Sequence, residues 1–417
     1  MAESDELLPL SLEQAALFKD HKLRSWQFPM RFPLPVSVDD GALAQAIALV
    51  AARHEPLRLR LRRHDGGIAQ TVRPPAEVPP LNVVQLPPGP ATRDVAEEVH
   101  RTSMDLYGAG PFRATLVRHG AGAELLVAVH HLAWDDRSLE LFMSELMVAY
   151  QALIAGRPPR LAPLRTSWTE HVRHQAAAGK QLPEAEVAYW SEQLGKSVSL
   201  RPPGGGELGG GWSAVTPGPA LSAEQHAAVS RFARDTHVTP ATVWLVLLLR
   251  GVARASGLDD FVYYLMHHGR DRRGAESLIG FFARNLVLRH QASADLAGQC
   301  RAALLSVSRG IERSGPPYTI SRLARQMDPA LFGDGGFARP MSSLTISLRN
   351  VEANPAGDEA PPPAGPVAAR PARLWFWGAV GRRTELRAEF DRRLFPESFV
   401  TTVFDDVATS VEALRHG

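Results

Sequence analysis

The sequence predicts an α/β protein built as two halves of comparable size, and three observations carry that prediction. At 417 residues the chain is longer than a single hydrophobic core usually organises. Apolar positions in both parts of the chain switch repeatedly between the helical period and the two-residue period of strands. Between Leu200 and Ala220 the chain runs Arg-Pro-Pro-Gly-Gly-Gly-Glu-Leu-Gly-Gly-Gly-Trp-Ser, a composition that builds no regular element and reads as a connector. The expected organisation is therefore residues 1–200, a linker over 201–220, and residues 221–417.

In the first half, Ser11 caps a helix carrying Leu12, Ala15, Ala16 and Leu17, and Gly41 to His54 places Leu43, Ile47 and Val50 on one helical face. Leu57 to Leu61 alternates leucine with arginine and reads as a strand. Arg113 to Val117 and Glu124 to Val129 form a hairpin around His119-Gly120-Ala121-Gly122. From Ser138 a helix follows, with Leu139, Phe142, Met143, Leu146, Tyr150 and Leu153 along one face, and Gly156 ends it.

The second half opens with a helix near Ser222 and another capped by Thr239 with Pro240 in its first turn. Strand Phe261 to Met266, helix Asp295 to Ile311 and strand Leu344 to Leu348 come next. A proline- and alanine-rich stretch, Asn354 to Pro371, is expected to be a mobile loop. Strands Arg373 to Trp377 and Thr384 to Phe390 and a helix from Pro396 to Leu414 complete the reading.

Hydrophobic residues at 45% and charged residues at 22% describe an ordinary folded chain. Lysine and arginine number 46 against 44 acidic residues, scattered rather than clustered, so no basic stripe points to nucleic acid. The apolar run Val243 to Leu249 is too short for a bilayer span and the N-terminus is acidic, so a cytoplasmic location and no membrane partner are expected. Cys300 is the one cysteine, which excludes an internal disulfide and a thiolate metal site; in a helix it reads as a packing residue.

Chemistry concentrates in His130-His131-Leu132-Ala133-Trp134-Asp135-Asp136-Arg137-Ser138, where a strand gives way to the long helix. Neighbouring strand residues face opposite ways, so one histidine should point inward and the other toward a cleft. A histidine exchanges a proton near neutral pH, and a carboxylate four positions on either orients it or supports the loop. Two structural histidines are the plainer reading of this stretch taken by itself.

The same stretch resembles the His-His-x-x-x-Asp-Gly motif of the condensation domains of nonribosomal peptide synthetases. Further matches follow in that family's order: Leu10-Ser11-Leu12-Glu13-Gln14; Arg53-His54-Glu55-Pro56-Leu57-Arg58; Tyr189-Trp190 with Leu194-Gly195; Gly269-Arg270; Ile279 through Arg289; and Leu386 through Asp391 with Leu394-Phe395. The resemblance implies two halves, each like chloramphenicol acetyltransferase, arranged as a V-shaped pseudo-dimer around a central tunnel. It implies a free-standing condensation enzyme with His131 as the catalytic residue, supported by His130, Asp135 and Asp136. Asp135 would pair with Arg270 across the halves, and Trp134, Arg284 and Asn285 would line the tunnel, although a packing role for the loop holding Arg284 and Asn285 fits equally. The implied substrates are an acyl or aminoacyl thioester on the phosphopantetheine of a separate carrier protein and an amine, or less readily an alcohol, free or carrier-bound. A thioester arrives activated, so neither a metal nor an organic cofactor is expected.

One departure stands out: the motif's glycine is Asp136, which adds charge and would strain the backbone if positive φ were required. It keeps open a non-catalytic module that recruits a tailoring enzyme, and the paired histidines also fit an epimerisation relative. Leu208 to Ser213 superficially matches a carrier serine motif but lacks the apolar helix that should follow, so it reads as linker. The pair His267-His268 is not expected to bind metal, because adjacent side chains diverge and no third ligand sits at a useful spacing. Arg272-Arg273 and Arg382-Arg383 read as solvated surface.

Overall fold

A computed structural model describes residues 6–19, 27–86, 102–120, 122–195, 200, 213–327, 344–350 and 374–416. These form two compact units, one from the residues up to Lys180 together with His268–Ala283, the other from Gln181–His267 and the described residues from Arg284 onward. The chain therefore leaves the second unit after His267, contributes sixteen residues, 268–283, to the first, and returns at Arg284.

The first unit holds β1 (Leu8–Pro9), α1 (Leu12–Lys19), β2 (Gln27–Leu34), α2 (Asp40–Arg53), β3 (Leu59–His64), β4 (Gly67–Val72), β5 (Asn82–Gln85), β6 (Phe112–His119), β7 (Gly122–His130), α3 (Asp136–Ile154) and α4 (Trp168–Ala177). Its larger sheet has the order β2-β7-β6-β5, its smaller one β1-β4-β3. In β7 every residue from Leu125 to His130 is buried. Leu125, Val127 and Val129 meet Leu43, Ile47 and Val50 of α2 and Phe142 and Leu146 of α3, while Leu126 packs with Val117 on the other side. Burial on both faces is why this strand reads as a continuous apolar run.

The expected helices and hairpin of this unit are present within a few residues. The expected strand Leu57 to Leu61 is instead a 3₁₀ turn over Glu55–Arg58 followed by β3. Pro56 favours the turn, and Arg58 is buried there, its guanidinium donating to the Ala51 and Arg73 carbonyls.

The second unit holds α5 (Glu184–Leu194), β8 (Ser213–Pro217), α6 (Ala223–Asp235), α7 (Pro240–Ser256), β9 (Asp260–His267), β10 (Arg284–Gln291), α8 (Leu296–Glu312), α9 (Ile320–Gln326), β11 (Leu344–Asn350), β12 (Leu374–Val380), β13 (Glu385–Asp391) and α10 (Glu397–His416). Six strands form one sheet in the order β10-β9-β11-β12-β13-β8. Ser222 caps α6 through a reciprocal box with Gln225, and Thr239 caps α7 ahead of Pro240. Val243 to Leu249 of α7 fill the core of this unit. No single described helix is long and apolar enough to cross a membrane; only the bent pair α6 and α7 passes that test jointly.

Part of the expected linker is strand: Ser213 to Pro217 form β8, paired antiparallel with β13. Residues 201–212 and the proline-rich stretch 354–371 lie outside the described residues. Arg284 and Asn285, expected in a loop, instead open β10, which pairs with β9 along its whole length.

Candidate active site

β7 ends at His130, and the chain then makes a single 3₁₀ turn, His131–Ala133, before entering α3. That turn sends the two histidines to different surroundings. His130 is 1% exposed and its Nδ1 accepts from the Leu132 backbone N–H at 3.1 Å. His131 is half-buried, its Nδ1 lies 2.7 Å from the Trp134 carbonyl, and its ring is tilted 4.4 Å from that of Phe281. A carbonyl only accepts, so Nδ1 of His131 carries a proton, and in the neutral ring Nε2 is then the basic nitrogen. The turn itself is held from the opening motif: Gln14 donates to the Leu132 carbonyl at 2.9 Å, and its own oxygen accepts from the Ser11 N–H and from Gln70.

Asp135 is the N-cap of α3. Its Oδ1 accepts from the Ser138 N–H at 3.0 Å and the Ser138 hydroxyl at 2.8 Å, while Oδ2 accepts from the Phe282 N–H at 3.1 Å. Arg270 completes the cage with two parallel bonds to the carboxylate and further bonds to the Leu278 carbonyl and Ser138 Oγ. Its guanidinium also lies 4.5 Å over the Phe282 ring. A buried carboxylate this well satisfied is a structural anchor. The expected pair is present, but it closes inside the first unit rather than across the halves, because Arg270 belongs to the segment His268–Ala283. That segment leaves β9 through Gly269, at φ +66°, where an added Cβ would stand 1.9 Å from the Phe282 carbonyl oxygen. Glycine is required there.

Asp136 is exposed in the first turn of α3 and is not among the residues with positive φ. The backbone strain that a missing motif glycine would bring is therefore absent, and an acidic group at a helix start is favourable. Trp134, expected to line a tunnel, is instead 1% exposed and packs edge-on against Phe142 in the core; only its carbonyl serves His131. Arg284 and Asn285 lie on β10 of the second unit, where Arg284 donates to the Ser314 hydroxyl and Asn285 Oδ1 is buried with no protein partner.

The sequence reading missed Ser138, whose hydroxyl bonds Asp135 and also meets Gly280 N–H at 3.0 Å, and Phe281 beside His131. Ser138 follows Asp135 by three residues, the spacing of a capping interaction, which is the signal that would have found it. In the stretch His267 to Asp271, potential ligand atoms of His267, His268 and Asp271 lie within 4.8 Å of one another, so the expected divergence of the adjacent histidines does not hold. His268 Nδ1 there accepts from the Arg270 N–H. Cys300 is fully buried and burial pushes its thiol up to about 11, which removes it as a nucleophile. Arg272, Arg273, Arg382 and Arg383 are exposed.

The family profile for the condensation domain matches residues 7–318. The chain belongs to the condensation domain family. Among relatives of this condensation domain chain, the probable non-canonical nonribosomal peptide synthetase CymA of Salinispora arenicola is 31% identical over 309 residues, 70% of this chain and 4% of the relative. The isonitrile lipopeptide synthase of Mycobacterium tuberculosis is 31% identical over 346 residues, 76% of this chain and 14% of the relative. The chain thus spans only a small part of these synthetases. In three dimensions the X-domain from teicoplanin biosynthesis covers 100% of the chain and 96% of itself, with a TM-score of 0.78 and 21% identity. The same X-domain has been solved in complex with OxyB. Structural neighbours of this kind give the chain the chloramphenicol acetyltransferase-like fold, and its relatives place it among condensation-type domains of natural-product biosynthesis.

Proposed function

We propose that this chain is an acyltransferase that condenses a carrier-bound acyl or aminoacyl thioester with an amine, forming an amide. The observation that carries the proposal is the fixed tautomer of His131: the Trp134 carbonyl holds the proton on Nδ1 and leaves Nε2 as a base. The amine nitrogen attacks the thioester carbonyl, the C–N bond forms, and charge collects on the carbonyl oxygen. Nε2 accepts the proton that the nitrogen sheds. Collapse of the tetrahedral species breaks the C–S bond, and the proton passes to the departing thiolate of the phosphopantetheine arm. In this order His131 acts first as a base, and its Nε2–H becomes a donor only after the transfer. An alcohol acceptor would follow the same course to an ester.

The reaction draws its driving force from the thioester, so neither a metal nor an organic cofactor is part of the proposal. Carrier protein and acceptor are the proposed partners. The test is mass spectrometry of product formed from a loaded donor carrier and a panel of amines and alcohols, comparing wild type with His131→Ala. A rate reduced on the order of a hundredfold or more, in a protein that melts like wild type, supports the reading. Equal rates would overturn it.

A second reading has its own observation. Asp136 replaces the motif's glycine, and the teicoplanin X-domain, whose complex with OxyB is known, has this fold. Under that reading the chain recruits a tailoring enzyme and does not transfer acyl groups. Wild-type protein inactive toward every acceptor, yet binding a tailoring oxidase, is the result that would favour it.

A further inference from the structure

His54 lies in Arg53-His54-Glu55-Pro56-Leu57-Arg58, and its side chain is fully buried at the C-terminal end of α2. Each polar residue of that motif from His54 on ties down a different piece of backbone. Glu55 accepts from the Thr169 N–H at the start of α4, at 2.7 Å, and Arg58 reaches the Ala51 and Arg73 carbonyls. His54 reaches the segment His268–Ala283: its Nδ1 accepts from the Ile279 N–H at 3.3 Å. Its Nε2 is 2.9 Å from Glu145 Oε2 on α3, and Arg53 holds the other Glu145 oxygen at 3.1 Å.

The hydrogen-bond roles leave no choice of tautomer. A backbone N–H can only donate, so Nδ1 of His54 is unprotonated, and Nε2 carries the proton and donates to Glu145. Burial alone would raise the Glu145 carboxyl, but the His54 and Arg53 contacts outweigh it and hold the group below its ordinary value, charged and able to accept. Glu145, His54 and Ile279 thus form one relay from α3 to the segment His268–Ala283. Immediately beyond Ile279, the Gly280 N–H meets Ser138, the tilted Phe281 ring stands beside His131, and the Phe282 N–H binds Asp135.

We propose that His54 is a positioning residue for His131, acting through the Ile279 N–H to set where the Phe281 ring stands against the imidazole. The proposal rests on the acyltransferase reading for its kinetic arm only.

Two substitutions separate the halves of the relay. In His54→Asn the amide oxygen falls near the place of Nδ1 and can still accept from Ile279, but Glu145 is out of reach. In His54→Gln the longer amide reaches Glu145 and withdraws the acceptor from Ile279. Hydrogen exchange of the Ile279 amide is expected to quicken about tenfold or more in His54→Gln and much less in His54→Asn. Carbethoxylation of His131 by diethyl pyrocarbonate is expected to change rate in the same variant, because the Phe281 ring no longer covers the imidazole. Both readouts stand if the protein transfers no acyl group. With a loaded carrier and amine, His54→Gln should lower kcat about tenfold or more at nearly unchanged KM, and His54→Asn should recover most of it. Equal behaviour of the two variants in exchange and in His131 reactivity would overturn the proposal. Altered exchange with an unaltered kcat in an active enzyme would overturn it too. Should His54→Gln fail to fold, Glu145→Ala replaces it: faster Ile279 exchange supports the relay, and unchanged exchange refutes it.

Discussion

Asp135 and Arg270 form a two-bond ion pair, at 2.7 and 2.8 Å, with side chains only 4% and 2% exposed. The carboxylate also caps α3 and the guanidinium also braces the Leu278 carbonyl, so the pair fastens a helix to a distant segment. Removing one partner strands a buried charge. Asp135→Ala and Arg270→Ala should each cost roughly 3–5 kcal/mol in urea unfolding, with the double variant costing clearly less than their sum. Additive losses would mean that the two charges do not depend on each other.

Gly269→Ala should be nearly as damaging without touching any charge. Its Cβ would fall 1.9 Å from the Phe282 carbonyl oxygen at a φ of +66°. The expected loss is about 3 kcal/mol or more, measured by the same unfolding experiment.

Asp136→Gly restores the family motif and tests how much the departure matters. Asp136 is exposed in the first turn of α3, so the variant should lose no more than about 1 kcal/mol, from a weaker helix-dipole contact and glycine's lower helix propensity. Acyl transfer measured side by side should be unaltered. A large gain in activity would show that Asp136 impairs the site.

His290 makes the stability of the second unit depend on acid. It is 4% exposed, faces the Phe261 ring at 4.8 Å, and burial assisted by the Arg250 charge pushes it down to about 4 from an ordinary 6.5. The folded state holds it neutral while the unfolded chain takes up a proton near 6.5. The stability it contributes is therefore complete above that value and lost as pH falls toward 4. Between pH 7 and pH 4.5 wild type should lose about 2 kcal/mol more than His290→Leu, as read from denaturant midpoints at the two pH values.

Much of the scaffold was legible because its signals are local. Ser11, Ser222 and Thr239 cap the helices that follow them. What escaped depends on pairing at long range. β2 carries Pro29 and Pro33, which argue against a strand until one sees that it is the edge of its sheet. β10 escapes because Arg284 and Asn285 at its start have no strand signal of their own, although Leu286, Val287 and Leu288 are buried against β9 partners.

The candidate site divides in the same way. Both histidines and the Asp135 partner could be named from the motif, but the different surroundings of His130 and His131 come from the 3₁₀ turn that begins at His131 and not from the strand alternation that the sequence suggests. Trp134 was misplaced because its position next to the motif says nothing of which way the 3₁₀ turn sends its ring. The Gln14 bond to the Leu132 carbonyl joins residues 118 positions apart and leaves no trace in either local sequence.

The excursion of His268–Ala283 has a consequence for how the protein is made. A nascent chain leaves the ribosome N-terminus first, and domains ordinarily fold as they emerge. Here the first unit has all its described strands by the time Lys180 appears, yet the cation for Asp135 and the Phe281 ring beside His131 are encoded beyond His267. Translation must deliver a large part of the second unit before the first can be finished. Any pause between Lys180 and Arg270 holds the growing polypeptide with its key carboxylate still waiting for a counter-ion.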